Sequence, residues 1–472
     1  MTDTGRQLSF LALIAMVVGS MVGAGIFALP RSFGAATGVI GAVLAWTITG
    51  FGMYALARVF QMLADKRPDL DAGIFSYAKA GFGHYAGFLA AVGYWLVGCI
   101  ADVSYWVLIK STLGAAFPIF GEGNTIVAVI VSSIGVWFYH LLILRGIKGA
   151  TTINTIVTFA KVIPILAFIA LVAIAFNAGT FTANLGYAGV EPQADPGLFE
   201  QVRSTLLITI FVFIGIEGAS VYSRYARKRS DVGRATILGF LIVLVLLVLV
   251  TLLPYATMPR AELAGLRQPS MASALEVVTG PWGRVFVGVG LIVSVLGAYL
   301  AWSLIAIEVL FAAAKAGDVP KFLAHENRVG VPSASLWLSN AVIQVLLILT
   351  LFSDDAFTTL VKLTSTMVLV PYLFSALFAV KVVLADRSRA TGGLLFWTLV
   401  ASIFAALMIL AAGLHFLLLS ALFYAPSTIL FVIARREQGA RVFTTFEWFV
   451  FMVLLVAAAA GVYGLMSGAI TI

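Results

Sequence analysis

Apolar runs of about 20 residues, the length of a helix that crosses a bilayer, recur about thirteen times along this chain of 472 residues. They lie at 8–29, 38–62, 84–112, 125–143, 152–176, 204–223, 234–257, 283–312, 334–352, 357–383, 393–412, 414–434 and 446–467. A soluble fold has to keep its outside wet and cannot hide so many. Hydrophobic residues make up 61% of the chain and charged ones 11%, against about 25% in a soluble domain. The runs lack the two-residue alternation of a membrane barrel, so the sequence predicts an all-α polytopic membrane protein. The boundary near Gly413 and His415 decides between 12 and 13 spans, and with it the side on which the chain ends.

Met1 to Gln7 is short and polar, and the run after it is too long for a signal-peptide core, so it reads as the first span. Cys99 is the single cysteine, which excludes an intrachain disulfide and a thiolate cluster. Four histidines without a clustered His/Glu pattern argue against a catalytic metal, and no cofactor is expected. The net charge of +8 reads as topology-setting loop charge rather than a nucleic-acid footprint. With a cytoplasmic N-terminus, the inward segments carry Arg6; Lys66, Arg67 and Lys79; Arg145 and Lys148; Arg224, Arg227, Lys228, Arg229 and Arg234; Lys315, Lys321 and Arg328; Lys381, Arg387 and Arg389; and Arg435, Arg436 and Arg441. The outward segments carry only Arg31, Arg203, Arg260, Arg267 and Arg284. That asymmetry follows the positive-inside rule and predicts a multi-pass protein of the bacterial inner membrane.

Two spans are interrupted. The first contains Gly19-Ser20-Met21-Val22-Gly23-Ala24-Gly25-Ile26-Phe27, and each glycine weakens a helix by about 1 kcal/mol relative to alanine. The sixth contains Phe213-Ile214-Gly215-Ile216-Glu217-Gly218-Ala219-Ser220, two glycines around a carboxylate. The two lie five helices apart. Interrupted helices at matching positions of two halves point to a transporter binding site. Main-chain groups unwound at membrane depth need a polar ligand. Free N–H groups suit a carboxylate and free carbonyls an ammonium, the two ends of an amino acid. Close packing of small residues also explains Gly19-x-x-x-Gly23.

These runs resemble the amino acid–polyamine–organocation superfamily, in particular its basic amino acid/polyamine antiporter branch, which includes arginine/ornithine and arginine/agmatine exchangers. GSMVGAGIF in span one and FIGIE in span six carry the resemblance. Further matching pieces are Tyr94-Trp95, Ala301-Trp302-Ser303-Leu304, Ala314-Lys315-Ala316-Gly317-Asp318-Val319-Pro320 and Val370-Pro371-Tyr372. The likeness runs over about residues 8–434. It implies a LeuT-like 5+5 inverted repeat with helices 1 and 6 unwound at the site. A transporter domain would then fill 1–434, with repeats at 8–176 and 204–383 and helices 11–12 at 393–434. The span at 446–467 exceeds the usual twelve of the branch. The resemblance also implies small cationic amino acids as substrates, a homodimer in the lipid bilayer, and no enzymatic activity.

Ionisable residues inside spans default to function, because mid-bilayer charge costs at least about 2.5 kcal/mol. Asp102, Glu217, Glu308 and Lys161 are such residues. Asp102 and Glu308 stand where the arginine/agmatine exchangers carry Asn and Gln, which suits a more positive substrate or a protonatable acid. Glu217 stands where the branch has a glutamate tied to helix movement. Lys161 resembles the lysine that stands in relatives where sodium-coupled members bind a cation, so sodium independence is expected. The bland alternative is an internal salt bridge, such as Lys161 with one of the acids. Phe211, Trp302 and Tyr94 match aromatic gate or stacking positions, where a flat ring attracts a cation within about 6 Å. Aromatics also simply fill helix interfaces. Thr364 offers a hydroxyl from span ten.

The resemblance thus places the substrate carboxylate on amides from Ser20 through Met21, Gly23, Ala24 and Gly25 to Ile26. The α-ammonium would meet carbonyls at Ile214 and Phe211, and the basic tail would turn to Trp302 and an acid. Tyr94, Glu217, Lys161 and Glu308 would serve gating and coupling. Arginine/ornithine antiport by alternating access leads the candidate functions. A proton-coupled importer of the same fold, and an arginine/agmatine or lysine/cadaverine exchanger, stay open. No nucleophile–base pair, HExxH or phosphate loop supports an enzyme.

Overall fold

With no water in a bilayer core, a spanning segment bonds its N–H and C=O groups within itself, so apolar runs fold as helices. The computed structural model describes residues 9–70, 73–146, 150–187, 196–217, 229–385 and 391–470. Among the described residues the only β pairing is an isolated bridge between Glu326 and Pro332. In chain order the helices are α1 (Phe10–Met21), α2 (Leu29–Ala36), α3 (Val39–Lys66), α4 (Ile74–Phe82), α5 (His84–Gly114), α6 (Ile126–Leu144), α7 (Ala150–Ile174), α8 (Ala178–Ala183) and α9 (Gly197–Phe211). They continue as α10 (Arg229–Leu252), α11 (Arg260–Gly265), α12 (Ser270–Thr279), α13 (Pro281–Lys315), α14 (Ser333–Leu349), α15 (Ala356–Ala385), α16 (Thr391–Glu437) and α17 (Thr445–Met466).

The predicted spans overlap helices, but of the sixth, 204–223, only 204–211 is helical, 212–217 is turn, and 218–223 lies outside the described residues. The first is α1 and α2 joined by a 3-10 turn, Ala24–Ala28, and the broken pair bends by 51°. The sequence ended this span at Leu29, but α2 runs on to Ala36 with Pro30 in its first turn, where a missing N–H costs nothing. Spans eleven and twelve are both in α16. A 47-residue helix would measure about 70 Å, more than twice a bilayer core. Gly413, at φ 73 and ψ 168, breaks the helical backbone there, so α16 is two helices joined at a kink. Only glycine holds that backbone without strain. The segments between spans are not plain loops: α4, α8, α11 and α12 are short helices that span-length reading passes over.

The chain divides into two compact units. Unit one comprises residues 1–65, 108–123 and 150–298; unit two comprises 66–107, 124–149 and 299–472. In unit one, α10 lies so close to α1 that a Cβ on Gly239 would stand 2.6 Å from Val17. Rings link the elements around the breaks: Phe33 stacks on Trp46 at 5.4 Å, Trp46 meets Phe213 edge-on at 6.0 Å, and Phe213 meets Phe240 at 5.2 Å. The end of α2 is strapped by buried Arg260, whose Nη1 donates to Gly34 O at 2.8 Å. The Arg260 amide donates to Asn184 Oδ1 at 2.8 Å, and the Tyr255 hydroxyl to Thr37 O at 2.7 Å.

In unit two, side-chain hydrogen bonds join helices where lipid offers none. Trp95 Nε1 donates to Ser339 Oγ at 2.8 Å, and Trp137 Nε1 to Gln344 Oε1 at 3.1 Å. The chain after α13 is pinned by Asp318, which Lys79 reaches at 2.9 Å and His84 at 3.4 Å. The last helix docks at its first turn. Glu447 completes a capping box with Thr444, and its other oxygen accepts from the amide of Tyr85, at the start of α5, at 3.3 Å. Tyr85 also packs on Phe431 and Phe443 at 5.0 and 5.4 Å.

Candidate functional site

Unit one carries both broken helices, and they touch. α1 ends at Met21, where the Val22 amide still reaches Val18 O at 2.9 Å. The next helical turn is 3-10, so the N–H groups of Gly23, Ala24 and Gly25 precede its first hydrogen bond and have no intrahelical acceptor. α9 ends at Phe211 and gives way to short turns: Phe213 N to Ile210 O, Ile214 N to Phe211 O and Ile216 N to Phe213 O, at 3.0–3.2 Å. Gly218, Ala219 and Ser220 of the sixth-span motif lie outside the described residues.

Ser20 binds one break to the other. Its hydroxyl lies 2.9 Å from Val17 O and 3.0 Å from Gly215 O, so one proton serves two carbonyls. Gly215 makes this approach possible. It sits at φ 106, and a Cβ there would stand 2.6 Å from Ser20 O. Gly25 is equally confined, since its Cβ would meet Phe211 Cδ1 and Val212 Cγ1, each at 2.7 Å. One edge of the Phe211 ring therefore stands close against the Gly25 main chain. Met21, Ala24, Ile26 and Ile214 are buried about the two breaks, while Ser20 and Gly23 are half-buried.

Two charged residues serve the broken main chain. Buried Lys161, on α7, donates from Nζ to Gly19 O at 3.0 Å. In an unbroken helix that carbonyl would accept from residue 23, so the ammonium replaces the bond that the break removes. Glu217 is buried and accepts from the Gly215 amide at 3.2 Å, capping the interruption of its own span. Among the described residues no acid pairs with Lys161, so the salt-bridge alternative fails for it.

Unit two holds the second acidic feature. Asp102, on α5, is buried with no exposure; its Oδ2 accepts from the Ser303 hydroxyl at 2.7 Å and its Oδ1 has no partner. The contact follows from a close helix crossing one turn away. A Cβ on Gly98 would meet Ala306 Cβ at 2.7 Å, so α5 and α13 almost touch there. Tyr94 and Trp302, from the same two helices, are buried with ring centroids 6.2 Å apart. Thr364 is buried too, with its hydroxyl donating to Leu360 O of its own helix at 2.7 Å and its lone pairs left to accept. Glu308 differs from the other acids: it is exposed and has no ion pair among the described residues. Ser303 and Gly98 carry no sequence signal of their own, though Ser303 stands beside Trp302 in a quoted motif.

Amides without an intrahelical acceptor at the first of two touching breaks, an ammonium in place of a helix bond, and a buried carboxylate without a cation belong to a carrier of small charged solutes. The sequence profile of the amino acid permease family matches residues 8–458. The chain belongs to the amino acid permease family. This permease is 44% identical to an arginine/ornithine antiporter of Pseudomonas aeruginosa, over 100% of its own length and 99% of the relative's. It is 39% identical to an L-lysine transport protein of Corynebacterium glutamicum, covering 99% and 97% of the two chains. It is 36% identical to an arginine/agmatine antiporter of Chlamydia abortus, covering 94% and 93%. The permease is thus an all-α, multi-pass membrane transport protein rather than an enzyme.

Proposed function

We propose that this permease exchanges cationic amino acids across the inner membrane, arginine for ornithine, by alternating access. The observation that carries the reading is Asp102. A carboxylate removed from water with a single hydroxyl donor and no cation costs several kcal/mol. A substrate that brings its own positive charge supplies the missing partner. Free amides from Gly23 to Gly25 suit the substrate carboxylate, and carbonyls at Phe211 and Ile214 suit its ammonium. Trp302 and Tyr94 offer ring faces to a guanidinium or an ammonium. The names of the relatives from Pseudomonas, Corynebacterium and Chlamydia all support a cationic amino acid.

Exchange of like charges has an electrical rationale. Moving one charge against the membrane potential is worth about 2.3 kcal/mol per 100 mV, and arginine for ornithine cancels that term. Lys161 provides a fixed donor at Gly19 O, which supports uptake without sodium. The Lys/Arg asymmetry supports a cytoplasmic N-terminus. The family resemblance supports a homodimer.

The test is counterflow with purified protein in liposomes. Labelled arginine is supplied outside, with ornithine, agmatine, lysine or buffer inside. Uptake that needs internal ornithine and persists in sodium-free buffer is the expected result, and Asp102→Asn should weaken it. Equal uptake into buffer-filled liposomes would overturn exchange and favour a proton-coupled importer.

A further inference from the structure

The corner between α16 and α17 gathers cations that nothing in the transport reading uses. The Ala440 amide returns to Arg435 O and the Gly439 amide to Arg436 O, each at 3.0 Å. Arg435 Nε then donates to Arg441 O at 3.1 Å, so three arginines share one tight turn. Arg436 and Arg441 are exposed and Arg435 is half-buried. Among the described residues none of the three has an acidic partner.

The nearby carboxylates are already engaged by main chain. Glu437 accepts from the Lys321 amide at 2.9 Å. Glu447 accepts from the amides of Thr444 and Tyr85, at 2.7 and 3.3 Å. The Lys321 amide bond brings a fourth exposed cation to the same corner, also without an ion pair among the described residues. Directly after the turn comes the least buried of the span-length apolar helices among the described residues, with only 11% of its apolar window buried. Its first turns expose Phe446, Trp448 and Phe449, and aromatic rings of this kind settle at the headgroup level.

The geometry points to a binding site for the headgroup of an anionic phospholipid at this corner. The phosphodiester meets Arg435, Arg436, Arg441 and Lys321, and the acyl chains lie along the exposed face of α17. Charge complementarity chooses the occupant: the corner offers guanidinium forks, which match phosphate oxygens in pairs, and among the described residues none of the three arginines is ion-paired with Glu437 or Glu447. Continuity with a lipid-facing helix favours a phosphate that carries acyl chains over one in solution. The site also has a route to the rest of unit two. Gln438, in the same turn, donates to Gly317 O, and Glu437 holds Lys321, so the corner clasps the 317–321 segment that Asp318 pins to Lys79 and His84.

The test uses the full chain in detergent and reads bound lipid by native mass spectrometry. Palmitoyl-oleoyl phosphatidylglycerol is the probe, and phosphatidylcholine with the same acyl chains is the neutral comparison. Inorganic phosphate is added as competitor. Each basic residue beside an anionic headgroup contributes about fivefold in affinity, so R435Q/R436Q/R441Q should weaken phosphatidylglycerol about 100-fold. Arg436→Gln alone, at an exposed position that the fold tolerates, should weaken it about fivefold. Arg328→Gln, in another basic loop, should change nothing. Equal retention of the two lipids, unchanged binding in the triple variant, or an equal loss in Arg328→Gln overturns the site. Displacement by millimolar phosphate overturns the lipid as occupant. None of these readings depends on which amino acid is carried.

Discussion

Gly215 and Gly19 look alike in sequence, each a glycine in an interrupted span, but the structure gives them opposite sensitivities. At Gly215 the backbone has φ 106, and an added Cβ would stand 2.6 Å from Ser20 O and 2.9 Å from Ser20 C. A conformation open mainly to glycine costs another residue about 1–3 kcal/mol. The clash is with main chain, which cannot swing aside, and overpacking of that kind adds about 1–3 kcal/mol. Gly215→Ala is therefore expected to destabilise by about 2–6 kcal/mol, a large part of the roughly 5–15 kcal/mol available to a folded domain. At Gly19 nothing lies within 4 Å of the added Cβ, and α1 is helical there. Gly19→Ala should gain up to about 1 kcal/mol of helix propensity. Thermal unfolding of both variants in the same detergent, beside counterflow in liposomes, checks this. Gly215→Ala should melt about 5 °C or more below wild type and lose exchange; Gly19→Ala should melt at or above wild type and keep it. A Gly215→Ala protein as stable and as active as wild type would refute the contact between the two breaks.

Three further outcomes follow from the same geometry. Ser303→Ala takes away the one donor to Asp102 among the described residues and should cost about 1–3 kcal/mol, whereas Asp102→Asn keeps an acceptor for Ser303 and should melt near wild type while taking up arginine less well. Lys161→Gln keeps an N–H for Gly19 O and should stay folded and sodium-independent, while Lys161→Met leaves that carbonyl without its donor and should lower the melting temperature by an amount worth about 1–3 kcal/mol. In the segment after α3, Arg67 donates two hydrogen bonds to Asp69, at 2.9 and 2.7 Å, and this bonding holds the carboxyl below its ordinary range. A lowered carboxyl stabilises above its unfolded value of about 4 and loses that effect as pH falls through the folded value. The small gap in melting temperature between wild type and Asp69→Asn should therefore shrink on acidification, and a gap that grows would refute the pairing.

Features fixed by local chemistry were readable in the sequence. Long apolar runs located the helices, glycine clusters located both breaks, and Gly413 marked the kink in α16 because such a break within a continuous apolar stretch needs a residue free of Cβ strain. Asp102, Lys161 and Glu217 stood out because charge is costly at membrane depth. Their partners were not readable. Ser303 comes 201 residues after Asp102, and Lys161 donates to a main-chain carbonyl 142 residues away, which leaves no side-chain pattern to find. Glu308 looked like the other acids, yet it is exposed while Asp102 has no exposure; only the orientation of α13 separates them. The short helices α4, α8, α11 and α12 escaped span-based reading because none is long enough to cross a bilayer.

The Glu447 contact has a consequence for biosynthesis. The carboxylate that caps the first turn of α5 is made 362 residues after the amide it accepts from. At about 5–20 residues per second, a ribosome needs roughly 20–70 s to cover that distance. Until then the Tyr85 amide and the ring faces later covered by Phe431 and Phe443 have to be satisfied by lipid headgroups, water or the insertion machinery. The last helix to emerge thus closes one of the first. A chain stopped before Thr444 should stay in the membrane, yet be cut more readily by a protease near His84 and Tyr85 than the finished protein.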